Sequence, residues 1–128
     1  MKKEALTKSE LEIMTLLWRV DKPLTASEII EHSTDKTWKD SYVHLLINSL
    51  MEKGIIEVAG FKKATKNYAR TFKPTVSREE YLVLKLTKSK NYSKEQMPVF
   101  FKALISKTND TALLNELEEA IKARKAEL

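Results

Sequence analysis

A chain of 128 residues with 42% apolar residues is long enough for one or two small packed domains. The absence of cysteine excludes disulfides and thiolate metal sites, and no apolar run approaches a membrane span or a signal-peptide layout, so a soluble cytoplasmic protein without membrane contact is expected. The net charge is +5, and residues 36–73 carry all of that surplus with eight cations against three carboxylates. No acid occurs between residues 58 and 78, which points to an anionic partner.

Three hydroxyl–x–x–Glu patterns mark helix starts: Thr7 with Glu10, Thr25 with Glu28, and Ser77 with Glu80. The first predicts a helix to about residue 19, with Leu11, Met14, Leu17 and Trp18 inward, ended by Asp21, Lys22 and Pro23. The second predicts a short helix to about residue 32, with Ile29 and Ile30 inward. A third helix is predicted over about 39–53. Its core side is Val43, Leu46, Ile47 and Leu50, and Gly54 ends it. The period then becomes two around Ile56 and Val58, and again around Tyr68, Arg70 and Phe72. That predicts two strands joined through residues 60–66, with a short third strand at Leu24.

From Ser77 onward the pattern is helical. One helix is expected to about residue 89. A second starts near Met97 and Pro98 and buries Phe100, Phe101, Leu104 and Ile105. A third starts at Asn109 or Asp110, with Leu113, Leu117, Ile121 and Leu128 on one stripe. About fifty residues of this kind need something to pack on, and a second copy is the expected partner. Only two glycines and three prolines leave little room for flexible linkers. The fold class is therefore mainly α with a small β-hairpin: a winged helix-turn-helix over 1–76, then a three-helix dimerisation region over 77–128. Phe100, Phe101, Leu104, Leu113, Leu117 and Ile121 are its expected dimer contacts.

The third helix has an unusual outer side. Ser41, His44, Leu45 and Asn48 share it, with Tyr42 at its edge, where a solvated face would carry Glu and Lys. Side chains of this size suit base edges in a major groove. Asn pairs with adenine, Ser and His donate or accept, and Leu presses on a thymine methyl. Lys39 at the helix start and Lys62, Lys63, Lys66 and Arg70 on the wing (about 60–70) are expected on phosphates. The bland readings are an ordinary polar surface, and Leu45 packing on the second helix. Phe61 is expected as a clasp under the wing rather than a wedge into a groove. Trp18 and Trp38 are expected to pack in or on the core.

Catalysis is not expected. Asp40, Ser41 and His44 contain triad letters, but on one helix they project in the same direction, so the imidazole cannot lie between the other two. His32 and His44 have no ligand-like spacing, no glycine-rich phosphate loop exists, and neither metal nor cofactor is expected.

The quoted residues resemble the penicillinase-repressor family (the BlaI/MecI and CopY-like regulators). The likeness lies in "LTKSELEIMTLLW" at 6–18 and "LTASEII" at 24–30. It continues through Trp38, Val43, Leu46, Ile47, Leu50, Lys53, Gly54, Ile55 and Ile56, then Tyr68, Phe72, Pro74, Val76, Ser77, Arg78, Glu79, Glu80 and Tyr81. The resemblance implies a homodimeric transcriptional repressor on a two-fold-symmetric DNA operator, one winged helix per half-site, with any sensor partner unknown. The family commonly carries Thr where Tyr42 and Leu45 stand and Arg where Ser49 stands, so a different operator is implied. The C-terminal cysteines of copper-responsive relatives are missing, and the Asn–Phe cleavage pair of antibiotic-responsive ones is not evident near Leu104 and Ile105. The alternative reading is a winged-helix protein-interaction module, with Tyr42 and Leu45 as partner anchors.

Overall fold

The computed structural model describes residues 5–89 and 92–128, in the order α1 (Lys8–Val20), α2 (Ala26–His32), a single 3-10 turn (Asp40–Tyr42), α3 (Val43–Glu52), β1 (Ile56–Lys63), β2 (Tyr68–Pro74), α4 (Arg78–Thr87), α5 (Met97–Ile105) and α6 (Thr111–Glu127). Three helices, a two-stranded hairpin and three further helices are a winged helix-turn-helix with a helical C-terminal region. The chain divides into two compact units, one through Leu86 and one from Thr87 to Leu128.

Local chemistry sets the helix limits in the first unit. The Thr7 hydroxyl accepts from the Glu10 amide at 3.2 Å while the Glu10 carboxylate accepts from the Thr7 amide at 2.8 Å. Thr25 with Glu28 repeats this at α2, and Ser77 with Glu80 at α4. Each box satisfies two backbone donors that the first helical turn leaves without partners. At the end of α1, Asp21 turns left-handed, at φ 56°. At the end of α3, Gly54 has φ 75°, its amide donates to Met51, and Ile55 donates back to Leu50. This pair of bonds is a Schellman closure, and it needs a residue without a Cβ penalty at Gly54.

The core of this unit joins α1, α2, α3 and the root of the wing. Ile13, Met14, Leu16, Leu17, Leu24, Ile29, Trp38, Val43, Ile47, Leu50, Ile55, Ile56 and Phe72 are all buried. Leu24 forms the expected third strand as one β-bridge to Phe72, with backbone bonds of 2.8 and 3.1 Å. Trp18 packs against this core; its indole N–H donates to the Val76 carbonyl at 3.0 Å and its ring lies 5.6 Å from that of Tyr81, which fastens the start of α4. Leu11, expected inward, is instead 37% exposed, and Ile13 and Leu16 take the core positions.

Two boundaries differ from expectation. The third helix opens with the 3-10 turn and becomes α-helical only at Val43. Lys39, at its N-cap, offers no capping side chain, so the first turn tightens. The first wing strand also runs further than the expected connection at 60–66 allowed, leaving only 64–67 between the strands. The register shifts between Val58 and Gly60. That bulge interrupts the period-two pattern and makes a continuing strand look like a loop.

In the second unit, α5 and α6 bury no residue of their own. Phe100, Phe101, Leu104 and Ile105 were expected to be buried by α5; in the single chain all four are exposed, as are Leu113, Leu117 and Ile121. Asp110 caps α6 by accepting from the Ala112 and Leu113 amides. Among the described residues, no helix is long and apolar enough to cross a membrane.

Candidate nucleic-acid interface

Helix α3 has two unlike sides. Val43, Ile47 and Leu50 are at most 2% exposed and anchor it in the core. His44, Leu45 and Asn48 stand exposed on the other side, and Ser41 and Tyr42 stand exposed on the preceding 3-10 turn. Leu45 is 65% exposed, so the reading that packs it on α2 is set aside. The result is a stripe of short polar groups around one bare aliphatic side chain.

A buried ion pair holds this helix in place. Glu10 on α1 is 1% exposed. Its carboxylate accepts from Lys53 Nζ at 2.6 Å and from Ser49 Oγ at 2.5 Å, besides the Thr7 amide. Burial pushes the Glu10 carboxyl up, but the bonds from Lys53, Ser49 and Thr7 outweigh it and hold the group below its ordinary value. Lys53 Nζ also donates to the Ala5 carbonyl at 3.1 Å. The last turn of α3 is therefore tied to the first turn of α1, which fixes the angle at which the outer stripe is presented.

The loop before α3 is fixed as well. Glu12 accepts from the amide and hydroxyl of Thr37 at 3.0 and 2.9 Å. Lys36 lies over the Trp38 ring and pairs with Asp40 at 2.8 Å. Asp40 is thus engaged by Lys36. Lys39 is exposed at the helix entrance.

The wing extends from the root of α3. Thr75 Oγ1 donates to the Gly54 carbonyl at 2.7 Å, and the Thr75 amide to Ile55 at 2.8 Å, so the hairpin is fastened where α3 ends. Lys62, Lys63, Lys66 and Arg70 are all exposed, but they are not equivalent. Lys62 Nζ pairs with Glu28 on α2 at 2.5 Å. That bond from Lys62, with the Thr25 backbone bond, holds the Glu28 carboxyl below its ordinary value. Among the described residues, Lys63, Lys66 and Arg70 have no carboxylate at ion-pair distance; the Arg70 guanidinium lies 5.3 Å from the Phe72 ring centre. Phe61 is 68% exposed and is no clasp.

Several of these residues had no signal in the sequence. The Glu10–Lys53 and Glu28–Lys62 pairs join positions 43 and 34 residues apart, and charge pairing at that range follows only from the fold. Ser49, read only as a departure from the family pattern, is the α3 residue that bonds Glu10.

No curated protein matches the chain. The model of the penicillinase repressor family matches residues 6–123, from the α1 capping box to the last turns of α6. On that match, the chain belongs to the penicillinase repressor family, a family of DNA-binding transcriptional repressors.

Proposed function

We propose that the protein is a homodimeric repressor of the cytoplasm that binds a two-fold-symmetric DNA operator. Helix α3 enters the major groove of each half-site. Asn48 and His44 hydrogen-bond base edges, Leu45 contacts a thymine methyl, and Ser41 and Tyr42 reach the adjoining base or phosphate. Lys39, Lys63, Lys66 and Arg70 hold phosphates on either side of the groove. Lys62 joins them when the duplex displaces it from Glu28. Residues 77–128 supply the dimer contacts, through Phe100, Phe101, Leu104, Leu113, Leu117 and Ile121.

One observation carries this reading: an exposed stripe of short base-sized groups on α3 adjoins an exposed wing whose whole stretch, 58–78, lacks an acid. A protein-binding surface has no need of that charge bias. The deciding experiment selects bound sites from a randomised duplex pool. A consensus of two inverted half-sites is expected, with binding that weakens steeply as salt rises, by about −0.9 in log K per log salt for each phosphate held. Salt-insensitive binding, or a pool that yields no consensus, would refute the proposal.

A further inference from the structure

The two faces of the wing differ in chemistry. Opposed residues of an antiparallel pair share a face, and successive pairs alternate. In the register Phe61↔Arg70, Lys62↔Ala69, Lys63↔Tyr68, one face therefore carries Phe61, Lys63, Tyr68 and Arg70, and the other Lys62 and Ala69. The second face is tied to α2 through Lys62 and Glu28. The first is open: Phe61 is 68% and Tyr68 69% exposed, beside two cations that no described carboxylate neutralises.

Single exposed apolar residues are ordinary and need no explanation. Two bare rings set between two uncompensated cations on one hairpin face are a different case. Such a face matches a surface with anionic rims and an apolar floor. A DNA minor groove has that form, with phosphates along both edges and sugar and base edges between them. Phenylalanine is among the side chains that proteins press between base steps there. A protein surface of the same outline would need acids at both rims and an apolar centre, with no reason to adjoin the α3 stripe.

We propose that this face of the wing enters the minor groove flanking each half-site, with Lys63 and Arg70 on its two phosphate rims and Phe61 wedged at a base step, so that the duplex bends there. The inference rests on the DNA-binding reading above and adds to it a second point of sequence selection. Pyrimidine–purine steps unstack most easily, so TA or CA steps are favoured at a fixed distance outside the half-site contacted by α3.

The test uses the full chain and a duplex of about 40 base pairs, roughly four helical turns, carrying the selected consensus with a donor and acceptor dye at its ends. The wild-type protein is expected to bend it, by about 20–90°, the range of wedge-inserting proteins. Phe61→Ser abolishes the bend and the preference for flexible flanking steps, while the half-site preference set by α3 remains. Phe61→Leu, still a wedge, keeps the bend. Lys63→Ala keeps the bend at saturation but flattens the salt dependence. Both positions are exposed, and equal melting temperatures confirm that the three variants fold alike. A Phe61→Ser protein that bends the duplex as the wild type does overturns the wedge and assigns the ring to another partner, leaving the operator reading intact. A pool without consensus overturns both.

Discussion

At Glu10, a carboxylate that is almost wholly buried depends on three donors. Removing Lys53 leaves that charge with only Ser49 and the Thr7 amide, and removing Glu10 leaves the Lys53 ammonium, 12% exposed, without its counter-ion. Either Lys53→Ala or Glu10→Gln should cost roughly 3–5 kcal/mol at neutral pH, the usual penalty for breaking a buried pair from one side. Replacing both with apolar residues of similar volume should cost far less, because neither charge is then stranded. Urea unfolding of the two single variants and the double variant measures this coupling. Acid supplies an independent check. The folded carboxyl titrates below its ordinary value of 4.5, so its stabilisation is full above that value and is lost as pH falls through the lowered one. The gap between wild type and Glu10→Gln should therefore narrow in acid, and a gap that stays constant with pH would show that the ion pair is not its source. The outer stripe of α3 obeys a different logic. Asn48→Ala or His44→Ala should relax selection at one base pair by roughly 1–3 kcal/mol, whereas Lys63→Ala should weaken every sequence alike. Binding titrations on the consensus and on single-base variants separate the two patterns.

Among the elements, helix starts were the most legible part of the chain. A hydroxyl with a Glu three residues on is a local device, and all three such pairs form the reciprocal bonds they imply. The core side of α3 was equally legible, because Val43, Ile47 and Leu50 repeat at the helical period. The wing was harder to read. Its bulge between Val58 and Gly60 hid four strand residues, 60–63, in an apparent loop, and nothing local to Phe61 indicates whether the ring turns in or out. The tie from Lys62 to Glu28 was invisible for the reason that makes it informative: it joins two elements. It also offers a clean test of the wing. Glutamine at the third position of α2 keeps the capping box but removes the charge. Glu28→Gln should thus leave α2 folded, release Lys62, and tighten binding to random duplex at low salt with a steeper salt slope, by up to about 0.9. If affinity and slope both stay at wild-type values, Lys62 takes no part in phosphate binding. Gly54→Ala asks for less: a left-handed residue with a Cβ at the end of α3 should cost about 1–2 kcal/mol of stability.

For the whole molecule, the unequal packing of the two units matters most. The first has a contiguous core, while α5 and α6 leave Val99, Phe100, Phe101, Leu104, Leu113, Leu117 and Ile121 between 39% and 67% exposed. Helices of 9 and 17 residues without a buried face are marginal on their own in water. A second copy that covers those side chains would supply the missing core, and the helical structure of this unit would then depend on assembly. Its melting temperature should rise with protein concentration, while that of the first unit does not. Leu117→Asp places a charge in the proposed seam. It should give a monomer by sedimentation, with lower helical content by circular dichroism and an intact first unit. On DNA the same variant should still select one half-site, because α3 and the wing are untouched. Its affinity for the paired site should fall to that for a single half-site, since the gain from two linked contacts disappears. Should Leu117→Asp stay dimeric, or should it hold the paired site as tightly as the wild type, the second half-site is gripped by some other surface and the α5–α6 face is not the seam.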